Sequence, residues 1–178
     1  KLAKGKRVLN VFSYTGGFSV YAARGLATEV ISLDASQPAT DAAERNFKLN
    51  FPNSNIHKTI TGDAFAEMAR MKAEGRRFEM VIIDPPSFAK KASQTEAAVS
   101  AYQKLTRLGL DILTSNGILV QASCSSRVDS ETFFNAIGTA AQQMRRPLKE
   151  IERTSHALDH PIGFKEGEYL KCLFAVVA

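Results

Sequence analysis

Two segments carry the residue types from which chemistry could be built, Asp84-Pro85-Pro86-Ser87-Phe88 and Ser123-Cys124-Ser125. The first closes a strand-like run from Phe78 to Ile83, the second a run from Ile118 to Ala122. In an open parallel sheet both would sit at the carboxyl ends of neighbouring strands, where ligands bind. One offers a carboxylate on a stiff rim; the other offers a thiol. Pro85 and Pro86 present carbonyls without amide donors, which suits hydrogen bonds from an exocyclic amino group. Phe88 has two readings, stacking on a base or folding back onto the core.

Cys124 also has two readings. A lone cysteine ending an apolar strand is most often an inert buried hydrophobe, and Cys172, inside Leu170 to Val177, is read that way. Cys124 differs in its flanks: Ser123 and Ser125-Ser126 mark a turn at the crevice, which favours a nucleophile. A thiol near pKa ~8.5 would need a lowered pKa to react, from Arg127, Lys90 or a bound cation.

Phe12-Ser13-Tyr14-Thr15-Gly16-Gly17-Phe18 forms a third candidate, a turn between strand and helix where glycines let the backbone approach a ligand. It does not spell G-x-G-x-x-G, and it lacks the Lys-Ser/Thr ending of a P-loop, so nucleoside triphosphate binding is not expected. Asp34 follows Gly16 at close to the ~20-residue spacing of an acidic group on a ribose hydroxyl. Asp63 repeats that placement after the third strand; its alternative is a plain helix cap. His57, His156 and His160 show no paired cysteine spacing, and His156-x3-His160 makes a poor zinc case, so no metal is expected. A Cys-His hydrolase would need His160 beside Cys124, and nothing in the sequence fixes it there.

The elements that must position these residues alternate short apolar runs with helical stretches, the pattern of repeated βαβ units. Strands are expected at Arg7 to Phe12, Glu29 to Leu33, Ile56 to Ile60, Phe78 to Ile83 and Ile118 to Ser123. Helices are expected from Phe18 to Arg24, after the Ser36 cap with Pro38 in the first turn, after Asp63, from about Gln94 to Leu113, and after the Asp129 cap. Gly25 and Gly75 close two of these units, and Asn116-Gly117 turns the chain into the fifth strand. Leu148 to Arg153 and Tyr169 to Val177 read as strands with no helix between them, joined by a loop containing Asp159, His160, Pro161 and Gly163, so they should pair antiparallel. The fold expected is α/β, a mostly parallel sheet with one reversed edge strand.

The chain has 178 residues, 44% of them hydrophobic, enough for one domain (residues 1–178) with a sizeable core. No apolar run approaches the ~20 residues of a membrane span, and a cytoplasmic protein with reduced thiols is expected. A formal net charge of +5 favours a polyanionic partner. Among its basic clusters, Lys90-Lys91 beside the Asp84 segment is the one that points to nucleic acid; the others read as ordinary solvated surface. Oligomeric state is left open.

At these residues the chain resembles the class I S-adenosylmethionine-dependent methyltransferases, and more closely the ribosomal RNA large-subunit methyltransferase I family, which methylates cytosine at carbon 5. The likeness runs from Arg7 to Val177 and rests on Asn10 through Phe18, Asp34-Ala35-Ser36, Asp84 through Phe88, Ser123-Cys124-Ser125, and the last segment from Asp159-His160-Pro161 to Glu166-Gly167-Glu168-Tyr169-Leu170-Lys171. It implies a Rossmann-like seven-stranded sheet with helices on both faces and an antiparallel C-terminal strand. It implies S-adenosylmethionine as cofactor, held by Phe12, Ser13, Tyr14, Thr15, Gly16, Asp34, Ala35, Ser36, Gly62, Asp63, Ala64, Asp84 and Pro85, with Asp34 on the ribose and Asp63 near the adenine. The substrate would be large-subunit ribosomal RNA, met by Pro86, Phe88, Lys90 and Lys91. Cys124 would add to cytosine C6 and Asp84 would meet the N3 and amino edge. Similar enzymes that methylate guanine N7 share the Asp-Pro-Pro segment but lack the cysteine. Full-length members carry an N-terminal RNA-binding PUA domain, so this chain is expected to be the C-terminal part of a longer protein.

Two other functions remain open at this point. One is a nitrogen-directed nucleic-acid or protein methyltransferase that uses Asp84-Pro85-Pro86 with a structural Cys124. The other is a non-catalytic RNA-binding domain.

Overall fold

Short β-branched and aliphatic runs become seven strands, and the stretches between them five helices, among the residues described in this computed structural model, 1–157, 162, 167 and 169–178. The loop residues Asp159, His160, Pro161, Gly163, Glu166 and Glu168 lie outside the described residues. Strands β1 (Arg7–Val11), β2 (Glu29–Asp34), β3 (His57–Thr61), β4 (Phe78–Ile83) and β5 (Leu113–Ser123) pair in parallel. With β6 (Leu148–Thr154) and β7 (Lys171–Val177) they form one sheet in the order β3-β2-β1-β4-β5-β7-β6. β7 runs antiparallel to both β5 and β6.

The reversed strand is therefore the C-terminal one, but it does not lie at the edge. β7 buries Leu173, Ala175 and Val177 on one face, while Cys172 and Phe174 pack on the other. A strand apolar on both faces belongs inside a sheet. β6 has the sequence LKEIERT, is exposed along almost its whole length, and takes the edge, where its charges discourage further pairing.

Helices cover both faces. α1 (Gly17–Arg24) and α2 (Gln37–Asn50) pack Ala22, Ala23 and Phe47 against Val8, Val30, Met80 and Val120. On the opposite face α3 (Ala64–Ala73), α4 (Thr95–Ile112) and α5 (Ser130–Gln143) bury Met68, Tyr102, Leu105 and Phe133 against Leu9, Ile31, Val81 and Leu119. Each such side chain taken fully from water stabilises the fold by about 1.5–3 kcal/mol, which is why the apolar run of β4 must be central. Three helix starts use the caps expected from sequence: Ser36 accepts from the Ala39 amide (3.4 Å), Asp63 from Ala66 (2.9 Å) and Asp129 from Thr132 (2.7 Å).

One boundary differs from expectation. Helix α4 stops at Ile112 and pairing begins at once, with Leu113 opposite Phe78. The register then shifts, so that Ile118 lies opposite Met80, and the extra residues between are taken up with Asn116 in the left-handed region (φ 59°). The Asn116-Gly117 turn is thus a bulge inside β5 rather than its beginning. Arg146 satisfies the carbonyls freed there, donating to Leu113 (3.0 Å) and Thr114 (3.1 Å).

Candidate active site

β1 pairs with β2 on one side and β4 on the other, so the strand order reverses between β1 and β4. That reversal opens a crevice beyond the carboxyl ends of the strands, the place where open α/β sheets bind ligands. The turn after β1, Asp34 after β2, Asp63 after β3, Asp84 after β4 and Cys124 after β5 all lie along this edge.

The turn after β1 is held in an unusual conformation. Phe12 and Tyr14 adopt left-handed backbone angles (φ 59° and 47°), as does Gly16 (φ 81°). For residues with a Cβ such angles cost of order 1–3 kcal/mol each and persist where surrounding bonds overdetermine them. Those bonds are present: the Ser13 amide donates to the Leu33 carbonyl (2.9 Å), the Tyr14 amide to the Asp34 carboxylate (2.9 Å), and Asn46 Nδ2 to the Thr15 carbonyl (2.9 Å). Gly16 also lies so close to α2 that a Cβ there would sit 2.8 Å from that of Ala43.

Asp34 has a local role as well as any ligand role. One carboxylate oxygen accepts from Tyr14 and the other from the Ser36 amide (3.0 Å), while its carbonyl accepts from Gly62 (2.9 Å). It therefore knits three strand ends together. Ala35 and Ser36 are exposed beside it, and Asp63 caps α3 with Ala64 buried behind. Deeper in the turn, Ser13 Oγ and Asn10 Oδ1 are buried with no hydrogen-bond partner among the described residues. Two buried polar atoms unsatisfied next to a strained turn are what a polar ligand would complete.

Asp84 is half-buried, and its amide donates to the Val11 carbonyl (3.3 Å). Burial pushes its carboxyl above the usual range. Pro85 is buried behind it and Pro86 is exposed. The Cys124 thiol meets this segment directly, with Sγ 3.9 Å from the Pro85 carbonyl that accepts from it.

The backbone around Cys124 is anchored on both sides. Ser123 Oγ bonds the buried Tyr102 hydroxyl (2.8 Å) and accepts from the Ser125 amide (3.2 Å). Ser125 Oγ in turn donates to the Ala89 carbonyl (3.1 Å), which ties the turn after β5 to the loop after β4. Burial, and then the Asp84 charge, push the thiol up, so the resting sulfur is protonated. The expected cation at this site differs from the one observed. Arg127 and Lys90 are exposed, and the ammonium that pulls the thiol down is Lys171, buried opposite Ser123.

The remaining candidates divide. Lys90 and Lys91 are exposed, with their amides donating to Gln94 Oε1 (2.9 and 3.1 Å), so the loop between β4 and α4 presents both side chains to solvent. Phe88 is partly exposed and packs on Tyr102, with ring centroids 5.3 Å apart, a contact that fits its inward reading. Cys172 is pushed up to about 12 by burial and behaves as an inert thiol. His57 is part of a buried chain of hydroxyls, accepting from or donating to Ser32 Oγ (2.8 Å) and stacked on Phe47 (4.3 Å), where it serves packing. His160, the partner a hydrolase would need, lies outside the described residues. Among the described residues no group of three or more His, Cys, Asp or Glu is arranged to hold a metal ion, and no helix is long and apolar enough to cross a membrane. An apolar cleft of about 430 Å³ lies on the α1 face beside Asp84, lined by Phe18, Tyr21, Val120 and Phe174.

Tyr102 was not singled out from sequence, Ser125 was read only as a turn residue beside Cys124, and Lys171 only as the end of a segment that carries the family resemblance. One signal for Lys171 was available: it holds the same strand face as Leu173, Ala175 and Val177, so strict alternation places a lysine on the buried side.

The family model of S-adenosylmethionine-dependent methyltransferases matches residues 1–161. The chain belongs to the S-adenosylmethionine-dependent methyltransferases. S-adenosylmethionine is accordingly the cofactor of this methyltransferase. It is 47% identical over 173 residues to a ribosomal RNA large subunit methyltransferase of Deinococcus radiodurans, covering 97% of this chain and 42% of that protein. It is 40% identical over 174 residues to ribosomal RNA large subunit methyltransferase I of Photobacterium profundum, covering 96% and 44%. The methyltransferase chain therefore spans less than half the length of these relatives. Among solved structures, SMU.776 complexed with SAH superposes with a TM-score of 0.87 at 29% identity, over 98% of this chain and 46% of that one. A SAM-dependent methyltransferase from Agrobacterium tumefaciens shares the fold, with a TM-score of 0.72 at 22% identity over 98% and 56%.

Proposed function

We propose that this methyltransferase modifies carbon 5 of a cytosine in large-subunit ribosomal RNA through a covalent bond between Cys124 and C6. The observation that carries the reading is the Cys124 thiol against the Asp84-Pro85-Pro86 segment, Sγ to Pro85 carbonyl 3.9 Å, at the ends of adjacent parallel strands. The two relatives above, both ribosomal RNA large subunit methyltransferases, support the substrate class.

The unsatisfied Ser13 Oγ and Asn10 Oδ1, and the close approach at Gly16, fit a polar ligand in the crevice. Phe12, Ser13, Tyr14, Thr15 and Gly16 would hold it from β1, Asp34, Ala35 and Ser36 from β2, Gly62, Asp63 and Ala64 from β3, and Asp84 and Pro85 from β4. The bound cofactor supplies an electrophilic methyl group. The protein must make C5 nucleophilic enough to accept it. Cys124, once deprotonated, adds to C6, and the electron pair of the C5–C6 double bond shifts toward C5 and the N3 edge. Asp84, held above the usual carboxyl range, favours a shared proton with that edge. The Pro85 and Pro86 carbonyls accept from the exocyclic amine. The C5 electron pair would then form a bond to the methyl carbon as that carbon's bond to the cofactor's sulfur breaks, its pair staying on sulfur in the departing demethylated cofactor; loss of the C5 proton afterwards restores the double bond and expels the thiolate. Exposed Pro86, Lys90 and Lys91 would meet the RNA around the target.

Incubation with labelled S-adenosylmethionine and undermodified large-subunit RNA, followed by nucleoside analysis, tests this reading. The expected product is 5-methylcytidine, lost by a factor of at least ~10³ in Cys124→Ala. An N-methylated product would overturn the carbon assignment, and full activity of Cys124→Ala the covalent route.

A further inference from the structure

Lys171 is 4% exposed, yet its ammonium makes no ion pair among the described residues. Its Nζ donates instead to two backbone carbonyls, of Ser125 (2.6 Å) and Tyr169 (3.2 Å). It lies across the β5–β7 ladder from Ser123, the residue before Cys124. Removing an ammonium from water costs several kcal/mol even after relaxation, and neutral carbonyls return only part of that. As a tie between β7 and the turn after β5, a cation is an expensive choice. It gains value where negative charge appears nearby.

We propose that Lys171 is a positioning residue for Cys124. Its bond to the Ser125 carbonyl holds the turn that carries the thiol, and its charge stabilises the sulfur once the proton has left. Four other groups enter the balance. Asp84, at the end of β4, opposes the thiolate; the Ser87 amide, in the following loop, favours it; the Tyr102 hydroxyl on α4 senses the same sulfur; and Asp129, at the start of α5, helps keep Lys171 charged against the burial that pulls it down. Of these only Lys171 offers a full positive charge, and it is tied to the backbone of the residue after the cysteine. At rest the site holds a protonated, half-buried thiol and a buried ammonium bonded to the carbonyl of the next residue. On deprotonation the sulfur's negative charge and that ammonium attract one another.

The inference rests on Cys124 being the nucleophile, but its test needs neither RNA nor methyl transfer. With Cys172→Ala removing the other cysteine, iodoacetamide reports Cys124 alone, and the pH midpoint of alkylation reports its ionisation. Lys171→Met should raise that midpoint by about one pH unit, slowing alkylation about tenfold below it, while Lys171→Arg recovers most of the rate. An unchanged midpoint in folded Lys171→Met overturns the proposal. Because that variant can fail to fold, the Lys171 side chain is also followed in the unaltered Lys171 protein, by carbon-13 shift across the same pH range. A step at the Cys124 midpoint supports the coupling, and its absence overturns it. A C5-methylating enzyme with no such step would retain its assigned reaction and lose only the role of Lys171.

Discussion

In the role proposed for it, Asp84 would serve function at the expense of stability. Burial raises its carboxyl above the usual range, so the folded chain keeps this proton to higher pH than the unfolded chain. Between the unfolded value, near ~3.9, and the raised folded one, stability falls as pH rises, and above the folded value the penalty is fully present. Asp84→Asn removes that penalty. Its thermal midpoint at pH 7.5 should exceed the parent's, with the difference shrinking below the unfolded carboxyl value, while methyl transfer falls by at least ~10²-fold. Calorimetric scans across pH beside single-turnover assays check both halves. A variant that is less stable and equally active would contradict the site. Burial, and then the Asp84 charge, likewise push the Cys124 thiol up.

At the level of elements, two turns bear the strain. The turn after β1 carries Phe12, Tyr14 and Gly16 in left-handed conformations, and Gly16 approaches Ala43. Gly16→Ala would add a Cβ where 2.8 Å is available and φ is +81°, so it should cost about 2–4 kcal/mol in urea unfolding and weaken S-adenosylmethionine binding together. A Gly16→Ala protein with parental affinity would separate the turn from the cofactor. The bulge in β5 depends on Arg146, whose guanidinium satisfies the carbonyls of Leu113 and Thr114. Arg146→Ala leaves those groups without a partner and should destabilise by about 2–3 kcal/mol with little change in the intrinsic rate of methyl transfer.

For the molecule as a whole, the net charge of +5 and the exposed Lys90-Lys91 pair bear on how the proposed RNA substrate would reach the crevice. Phosphate contacts release counterions, and each contributes roughly 0.7 to the slope of log affinity against log salt on single strands. Replacing Lys90 and Lys91 with alanine should weaken RNA binding and lower that slope by about 1.4, as read from filter binding at several salt concentrations. An unchanged slope would place the RNA elsewhere on the surface. The chain spans less than half the length of its relatives, so contacts made by the rest of such a protein would add to this slope without altering the difference.

Strand and helix order, the three capped helix starts and the placement of Asp34, Asp63, Asp84 and Cys124 at strand ends were legible in the sequence. Each depends on local rules: apolar period, the residue types that cap helices, and prolines that cannot continue a sheet. Asn116-Gly117 was read as a turn because its chemistry is local; that it forms a bulge within β5 depends on how Phe78 and Met80 pair across the sheet. Phe88 turned inward because Tyr102, on a distant helix, offers it a ring. The position of β7 inside the sheet followed from burial on both of its faces, which requires knowing what packs there. Above all, the positive charge that acts on Cys124 against burial and Asp84 comes from Lys171, remote in the chain and brought near by the β5–β7 ladder. Sequence determined which groups end each strand. Tertiary structure decided which of them meet, because the field at a buried thiol is set by neighbours in space.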